Sequence, residues 1–398
     1  MKILIISQNF FPENFRINDF VFSLHKRGHE VQVLTGKPNY PKGEYFEGYS
    51  WKGPKTEEIN GVKVHRVNIF LRKKGGSFRL IVNYLSFVFF GFFGILKIKG
   101  QFEKVFIYAP SPITVGFLGI LAAKKFKCKS YLWIHDLWPE SVKMAGGINN
   151  KFILGLLDYM TRFIYKKTDY LLIQSPFFKK FLNKQKVDLS KVIYYPYYAE
   201  EFYKPVIPDN NIKNQFPSGF NLLFAGNIGS AQSFDTVVEA LNRIKKHNIN
   251  VIILGEGRDK NRILSKIENF GLSKKFYFLG SYPPELMPHY FAAADALLIT
   301  LKKALVFSYT IPGKLQSYLA CGKPILGALD GIGKKIIEDS KSGYCSEAED
   351  AIDLSEKILS LMNTSIEERK IMGKNGLEYF NISFNKEKLL DQFEEILK

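Results

Sequence analysis

Short, almost unbroken apolar runs recur along the chain, each followed by a stretch with apolar residues at helical spacing. In the first half the runs are 2–8, 30–36, 62–68, 104–110, 129–135, 169–175 and 191–195. Runs without polar alternation suit strands covered on both faces, as in a parallel sheet. Helices are predicted between them over 15–28, 78–98, 112–125 and 151–167. A second series places strands at 221–226, 250–255, 275–280, 296–301 and 323–328, with closing helices over about 365–380 and 384–397. This βαβ alternation predicts an α/β chain of two Rossmann-like domains facing each other across a cleft, with ligands at the C-terminal strand edges. The rhythm breaks over 196–220, which carries Pro196, Pro205, Pro208, Pro217 and the polar string Asp209-Asn-Asn. We read 199–220 as a linker, 1–198 as an N-terminal acceptor-binding domain and 221–398 as a C-terminal domain, with about 384–398 crossing back to the first.

Charge divides the two halves. The net charge is +18 over 398 residues. Residues 1–198 hold 31 Lys+Arg against 13 Asp+Glu, whereas 199–398 hold 25 of each. A basic half-molecule suits an acidic partner: nucleic acid, anionic lipid or a phosphorylated substrate. No helix-turn-helix, zinc-finger or RNA-binding sheet motif accompanies the charge, so nucleic acid is not expected as a partner. Cys128, Cys321 and Cys345 are scattered, which implies a reducing compartment and no disulfide framework. The first apolar run is too short for a signal peptide and reads as a buried strand.

The stretch Thr310-Ile-Pro-Gly-Lys-Leu-Gln-Ser-Tyr-Leu-Ala-Cys-Gly-Lys-Pro-Ile-Leu326 reads as loop, helix, stop and strand. Pro312 suits the first helical position, Thr310 or its neighbour a cap, and Gly322 the stop. Lys314 then lies in the first turn, where a lysine and the N–H groups from Ile311 to Gly313, Pro312 itself having none, make an anion site for a diphosphate. The alternative is an ordinary capped helix. Gly226-Asn227 opens a small-residue loop after a strand, and Gly255-Glu-Gly-Arg258 a similar turn in which Arg258 can pair with phosphate. Either is equally a solvated turn. The chain has no Asp-x-Asp pair to hold Mg²⁺ and no Cys/His cluster with zinc spacing, so neither metal nor cofactor is expected.

In the first half, Phe11-Pro-Glu-Asn14-Phe15 joins a strand to a helix without the Gly-x-Gly-x-x-Gly of a dinucleotide site. The loop Pro38-Asn-Tyr40-Pro-Lys-Gly43 offers turns and a flat ring suited to sugars. His135-Asp136-Leu-Trp-Pro-Glu140 closes the fifth predicted strand, where the carboxylates can orient an imidazole or a sugar hydroxyl. A lone histidine at such a place is as often structural as functional. Finally, Tyr84–Leu96 is apolar almost all round, preceded by Arg72, Lys73, Lys74 and Arg79 and followed by Lys97 and Lys99. At about 13 to 17 residues it is short for a membrane span. It fits an interfacial helix whose Phe87, Phe89, Phe90, Phe92 and Phe93 enter lipid while Arg79 and Lys97 meet phosphates. A helix buried between sheet and neighbours is the alternative.

Five segments, in this order and spacing, are FPENFRINDF (11–20), KRGHEVQVLTGKPNYPKG (26–43), HDLWPES (135–141), LLFAGNIGSAQSFD (222–235) and IPGKLQSYLACGKPIL (311–326). Together they resemble the family-4 retaining glycosyltransferases of GT-B fold. The closest branch is the bacterial one that builds surface polysaccharide, capsule and O-antigen and includes fucosamine-type amino-sugar transferases. The resemblance implies a nucleotide-diphosphate sugar, UDP-linked and carrying an N-acetylated amino sugar, held mainly by the second domain. It implies an acceptor saccharide on polyprenyl diphosphate, retention at the anomeric carbon, no metal, and a peripheral place at the inner face of the cell membrane. His135 matches the histidine that contacts the donor sugar, and Asn14 and Phe15 match a usually Gly-rich loop near the phosphates. Two departures stand out. Tyr309 and Ser317 occupy the positions of a common Glu-x7-Glu pair, and Asn227 and Gln232 those of a common Arg and Lys. Lys314 is then the candidate for the missing charge, assisted by Arg258, with Asp136 as a further polar contact. An epimerase of free nucleotide sugars, which shares the two-domain architecture, is the rival enzyme.

Overall fold

The computed structural model describes residues 1–73, 76–146 and 150–398. The chain forms two compact units, Met1–Tyr195 with Ile396–Lys398, and Pro196–Glu395.

The first unit is built on one eight-stranded sheet. Its strands are β1 (Lys2–Ser7), β2 (Glu30–Gly36), β3 (Thr56–Ile59), β4 (Val62–Val67), β5 (Lys104–Ala109), β6 (Lys129–Ile134), β7 (Tyr170–Ile173) and β8 (Val192–Tyr194). They lie in the order β3-β4-β2-β1-β5-β6-β7-β8. All pairs are parallel except β3 with β4. The central strands are buried along nearly their whole length, which is why their sequences are apolar without alternation. The β3–β4 hairpin escaped the sequence reading. Its first strand, Thr-Glu-Glu-Ile, is half exposed at the sheet edge, and Asn60-Gly61 turns it with φ of 49° and 79°. An Asn-Gly pair at positive φ is the turn that a tight hairpin requires.

The second unit has a six-stranded, wholly parallel sheet in the order β11-β10-β9-β12-β13-β14. Its strands are β9 (Phe220–Ala225), β10 (Ile249–Leu254), β11 (Phe276–Gly280), β12 (Ala296–Thr300), β13 (Ile325–Ala328) and β14 (Gly343–Ser346). Helix Phe234–Arg243 packs Val237, Val238 and Leu241 on this sheet beside Leu354 and Ile358 of helix Ala351–Asn363. Helix Ile366–Ser383 starts on a reciprocal cap, with Ser365 bonded to the N–H of Glu368 and the Glu368 carboxylate to the N–H of Ser365. Among the parallel strands the order reverses at β2-β1-β5 in the first sheet and at β10-β9-β12 in the second, and loops diverge there to leave a crevice.

Helix Ser77–Lys97 has 21 residues, about 32 Å at 1.5 Å per residue, longer than the apolar run alone suggests. By length and composition it is the one helix among the described residues able to cross a bilayer. It is nonetheless docked on the sheet. Gly91 abuts Leu118 and Gly94 abuts Val67, so closely that a Cβ at either glycine would lie within 2.7 Å of the neighbour. Its inner side carries polar groups: the Gln8 amide donates to Asn83 Oδ1 at 2.9 Å, and Asn83 Nδ2 to the Phe70 carbonyl at 2.7 Å. Phe87 is fully buried on that side, so the expectation that it meets lipid is corrected. Phe90 is half-buried in a ring cluster with Trp51 and Phe70, whereas Phe89, Phe92, Phe93, Arg79 and Lys97 are exposed. Lys74, counted among the flanking cations, lies outside the described residues.

Candidate active site

The crevice of the second unit is walled by the loops after β9 and β10 and by helix Gly313–Ala320. Gly226 has φ of +137° and Gly255 of +140°, a region that only glycine enters freely. A Cβ on Gly255 would lie 2.0 Å from the Gly226 carbonyl oxygen, and one on Gly257 1.9 Å from that of Ile228. The two loops are therefore pressed backbone to backbone. Their bonds confirm it: Gly226 N–H donates to Leu254 O at 2.7 Å and Ile228 N–H to Glu256 O at 2.9 Å.

Helix Gly313–Ala320 begins differently from the sequence expectation. Pro312, with φ −63° and ψ 126°, is the cap residue itself rather than the first helical residue, and no side chain caps the helix. Thr310 instead ends the preceding helix, Leu305–Tyr309. The Leu315 N–H turns back to the Pro312 carbonyl at 2.9 Å, whereas the N–H groups of Gly313 and Lys314 have no carbonyl ahead of them in the helix and remain available to an anion. Two side chains lock this helix in place. The N–H of Ala225 donates to the Tyr318 hydroxyl at 3.0 Å, and the Gln316 amide to the Tyr197 carbonyl at 2.7 Å.

Lys314 reaches from this helix to the loop after β9. Its Nζ stands 3.5 Å from the centre of the Phe224 ring, and a Cβ at Gly226 would meet its Cε at 2.6 Å. Among the described residues it has no carboxylate partner. Burial without a counter-charge pulls its ammonium down to about 7 from the usual 10.5. The side chain lines two cavities. The larger, about 390 Å³, is walled by Gly226, Asn227, Lys314 and Ser317 together with Tyr203, Tyr282 and Phe291. The smaller, about 200 Å³, is walled by Ile299, Leu301 and Phe307 together with Gln232, Thr300, Thr310, Pro312, Gly313 and Lys314. The Thr300 hydroxyl there is buried with no hydrogen-bond partner among the described residues. A desolvated cation between a small, mostly apolar cavity that also carries Gln232, Thr300 and Thr310 and a wider aromatic one suits an anion joined to a flat group.

At the C-terminal strand edge of the first unit the remaining candidates gather. His135 follows β6, buried against Trp133 and Tyr108 with ring centres 4.5 and 4.7 Å away. Burial, then the nearby Arg16, holds its imidazole well below the usual range, so it is neutral at pH 7. Asp136 is raised to about 6 by burial. Tyr84 bonds Ser111 and feels the charges of Arg72 and Asp136 and the neighbouring Tyr40 phenol. Tyr40 is exposed, with Phe15 at 5.2 Å between ring centres. Asn14 is exposed, and Glu140 begins the short helix Glu140–Gly146.

Residues 208–379 match the family model described as Glycosyl transferases group 1. This segment is therefore similar to the group 1 glycosyltransferases. The chain is 25% identical over 338 residues to the putative colanic acid biosynthesis glycosyl transferase WcaI of Escherichia coli K12, covering 81% of this chain and 82% of that one. Among solved structures, sucrose-phosphate synthase of Thermosynechococcus elongatus superposes with a TM-score of 0.75 at 16% identity, over 99% of this chain and 98% of that one. Anabaena HepE, solved with UDP and with UDP-glucose, gives 0.70 at 12% identity, over 100% and 99%. The fold is GT-B, as expected from the sequence.

Within this segment the structure brings Gly226, Asn227 and Ser317 to one side of Lys314, and Thr310, Pro312 and Gly313 to the other. Two expected donor contacts are placed otherwise. Arg258 is exposed and lines neither cavity, and Ile311 is a buried core residue. The aromatic wall was missed because Tyr203, Tyr282 and Phe291 are far apart in sequence and fit no motif. Glu13 was also missed. It is buried, and its carboxylate accepts the N–H groups of Asn39 at 2.8 Å, Tyr40 at 2.7 Å and Phe10 at 3.2 Å. That one side chain ties the loop after β1 to the loop after β2. Its signal, an acid between two loops rich in proline and asparagine, is visible in FPENF.

Proposed function

We propose that the chain is a retaining, metal-independent glycosyltransferase of polysaccharide biosynthesis. It moves a sugar, an N-acetylated amino sugar, from a UDP-linked donor to a saccharide carried on polyprenyl diphosphate. The glycosyltransferase class follows from the family match and the relative named above. The observation that carries the rest is Lys314, a desolvated cation beside the first turn of helix Gly313–Ala320. Among the described residues no group of three His, Cys, Asp or Glu is placed to hold a metal ion. The diphosphate charge is assigned to Lys314 and the N–H groups of Gly313 and Lys314. In the reaction the bond from the anomeric carbon to the diphosphate oxygen breaks, and negative charge grows on that oxygen. Lys314 and the N–H groups meet it as it grows, which is commonly the largest catalytic term. The acceptor hydroxyl oxygen bonds to the anomeric carbon from the same face, and its proton passes to the departing phosphate. His135, Asp136, Glu140 and Tyr40 are assigned to sugar hydroxyls, the last two on the acceptor.

The acceptor's lipid tail places the enzyme peripherally at the inner face of the cell membrane. The exposed phenylalanines of helix Ser77–Lys97 and the basic first half support this. The test is UDP release from UDP-N-acetyl sugars with and without a polyprenyl-diphosphate saccharide, with the product anomer read by NMR. Release that depends on the acceptor and preserves the donor's anomeric configuration is expected. Epimerised donor formed without acceptor would establish the rival.

A further inference from the structure

Helices Ser77–Lys97, Val115–Phe126 and Lys151–Lys167 lie side by side on one face of the first unit's sheet. The seams between them are tight: Gly91 meets Leu118, and Gly116 meets Ile164, with no room for a Cβ at either glycine. Both outer helices bury apolar residues, Phe87 and Ile95 in one and Ile164 and Tyr165 in the other, yet leave further large apolar side chains in water. Helix Ser77–Lys97 buries Asn83 and Ser86 while Phe78 and Phe89 are 77% and 59% exposed. Helix Lys151–Lys167, capped by the Asn150 side chain, buries Thr161 while Phe152, Leu156 and Tyr159 are 82%, 60% and 72% exposed. Positions 152, 156, 159 and 163 are spaced to fall on one helical face. Such side chains left in water oppose folding unless something covers them.

All three helices return antiparallel to the strands, so their C-terminal ends share one edge. That edge carries exposed lysines from each: Lys97 and Lys99, Lys124 and Lys127, Lys166 and Lys167. Lys125 is engaged in binding, its ammonium held by the carbonyls of Ile95 at 2.7 Å and Ile98 at 2.6 Å. Beside the edge is a cavity of about 390 Å³ lined by Lys124, Lys127, Lys167 and the Lys129–Asp169 pair at 2.8 Å. Lys124, Lys127 and Lys167 have no carboxylate partner among the described residues.

We propose that helix Lys151–Lys167 is a second lipid-contacting element, so that the first unit lies flat on an anionic bilayer through both outer helices, with the lysine edge on the headgroup phosphates. An apolar face with a cationic margin fits such a surface by charge and by depth, since an interfacial helix sinks about 5–10 Å into the headgroup and acyl boundary. This extends the membrane contact proposed above from one helix to two.

The test uses the full chain with sedimented vesicles of phosphatidylcholine, alone or with about a third phosphatidylglycerol, at low and high salt. Three triple variants are compared: F152S/L156S/Y159S, F89S/F92S/F93S and K124Q/K127Q/K167Q. Each apolar triple is expected to lower partitioning at least tenfold. The lysine triple is expected to abolish the preference for phosphatidylglycerol and its salt dependence. A wild-type near-UV circular dichroism spectrum and thermal transition, retained in every variant, show that the first unit, which carries all the substitutions, is intact. If the 152/156/159 triple binds like wild type while the 89/92/93 triple does not, the inference falls and the one-helix contact stands. If neither triple changes binding, both fall. A wild-type dimer that the 152/156/159 triple converts to monomer without loss of vesicle binding also overturns it.

Discussion

If Lys314 holds the donor diphosphate as proposed, its amine, nearly neutral in the empty protein above pH 8, becomes charged on binding, and that change can be counted. Its ammonium is lowered to about 7, so at pH 8 only about a tenth of the amines carry a proton. An anion seated against it favours the charged form again. Binding of UDP-glucose, whose diphosphate has no proton to lose near neutrality, then draws about 0.9 proton from the buffer at pH 8 and about 0.1 at pH 6. Titration calorimetry in two buffers of different ionisation enthalpy reads that number directly. Lys314→Met keeps the contact with Phe224 and removes the amine. Proton uptake goes to zero, and transfer falls by about 10²–10³-fold, or about 3–4 kcal/mol. The empty fold moves the other way. The drop from 10.5 to about 7 corresponds to at most about 5 kcal/mol at 1.36 kcal/mol per pH unit, and partial exposure of the side chain reduces it. The unfolded chain binds this proton between pH 7 and 10.5 and the native one does not, so wild-type stability rises across that window. Lys314→Met is therefore more stable than wild type at pH 7 and lacks that part of the slope. A wild type that takes up no proton at pH 8, or a Met variant with wild-type turnover, refutes the reasoning.

Gly226→Ala forces a Cβ onto Lys314 at a φ of +137°, and UDP-glucose affinity should fall at least tenfold with a stability loss of about 1–3 kcal/mol; unchanged affinity would deny the close approach. Asp136, raised to about 6, favours the fold below its unfolded value near 4, and that stability is lost as pH rises through 6. Asp136→Asn should flatten stability between pH 4 and 6, as measured by chemical denaturation, and should remove any acid limb near pH 6 from the transfer rate. Phe87→Ala should cost about 3–5 kcal/mol in denaturant unfolding, whereas the exposed Phe89→Ala should stay within about 0.5 kcal/mol.

The parallel strands were legible because burial on both faces leaves no polar alternation to confuse the pattern. Strand β2 and helix Lys151–Lys167 were placed to the residue. What escaped was exposed or short. Strand β3 presents glutamates to solvent, β14 is four residues at an edge, and helix Leu305–Tyr309 is barely a turn. The Asn-Gly turn was a readable signal that the apolar runs overshadowed. At the site, Lys314 stood out because one segment carries its helix, its turn and its charge. Glu13 and the aromatic wall depend on contacts between distant segments, which no local pattern encodes. Phe87 was misassigned for a related reason. In a helix with phenylalanines all round, only packing decides which face is inside, and here the polar Asn83 and Ser86 mark the inner one.

The seam where the loops after β9 and β10 touch leaves less than 2.1 Å for any side chain on Gly255 or Gly257. Mutation has almost nowhere to go along it. Variation that retunes the site for another donor must enter through the opposite wall, at Tyr203, Ser281, Tyr282, Met287 or Phe291, where side chains rather than backbone face the cavity. Evolvability in this domain is thus one-sided: a rigid floor that any descendant inherits, and a lining of separate side chains that can be exchanged one at a time.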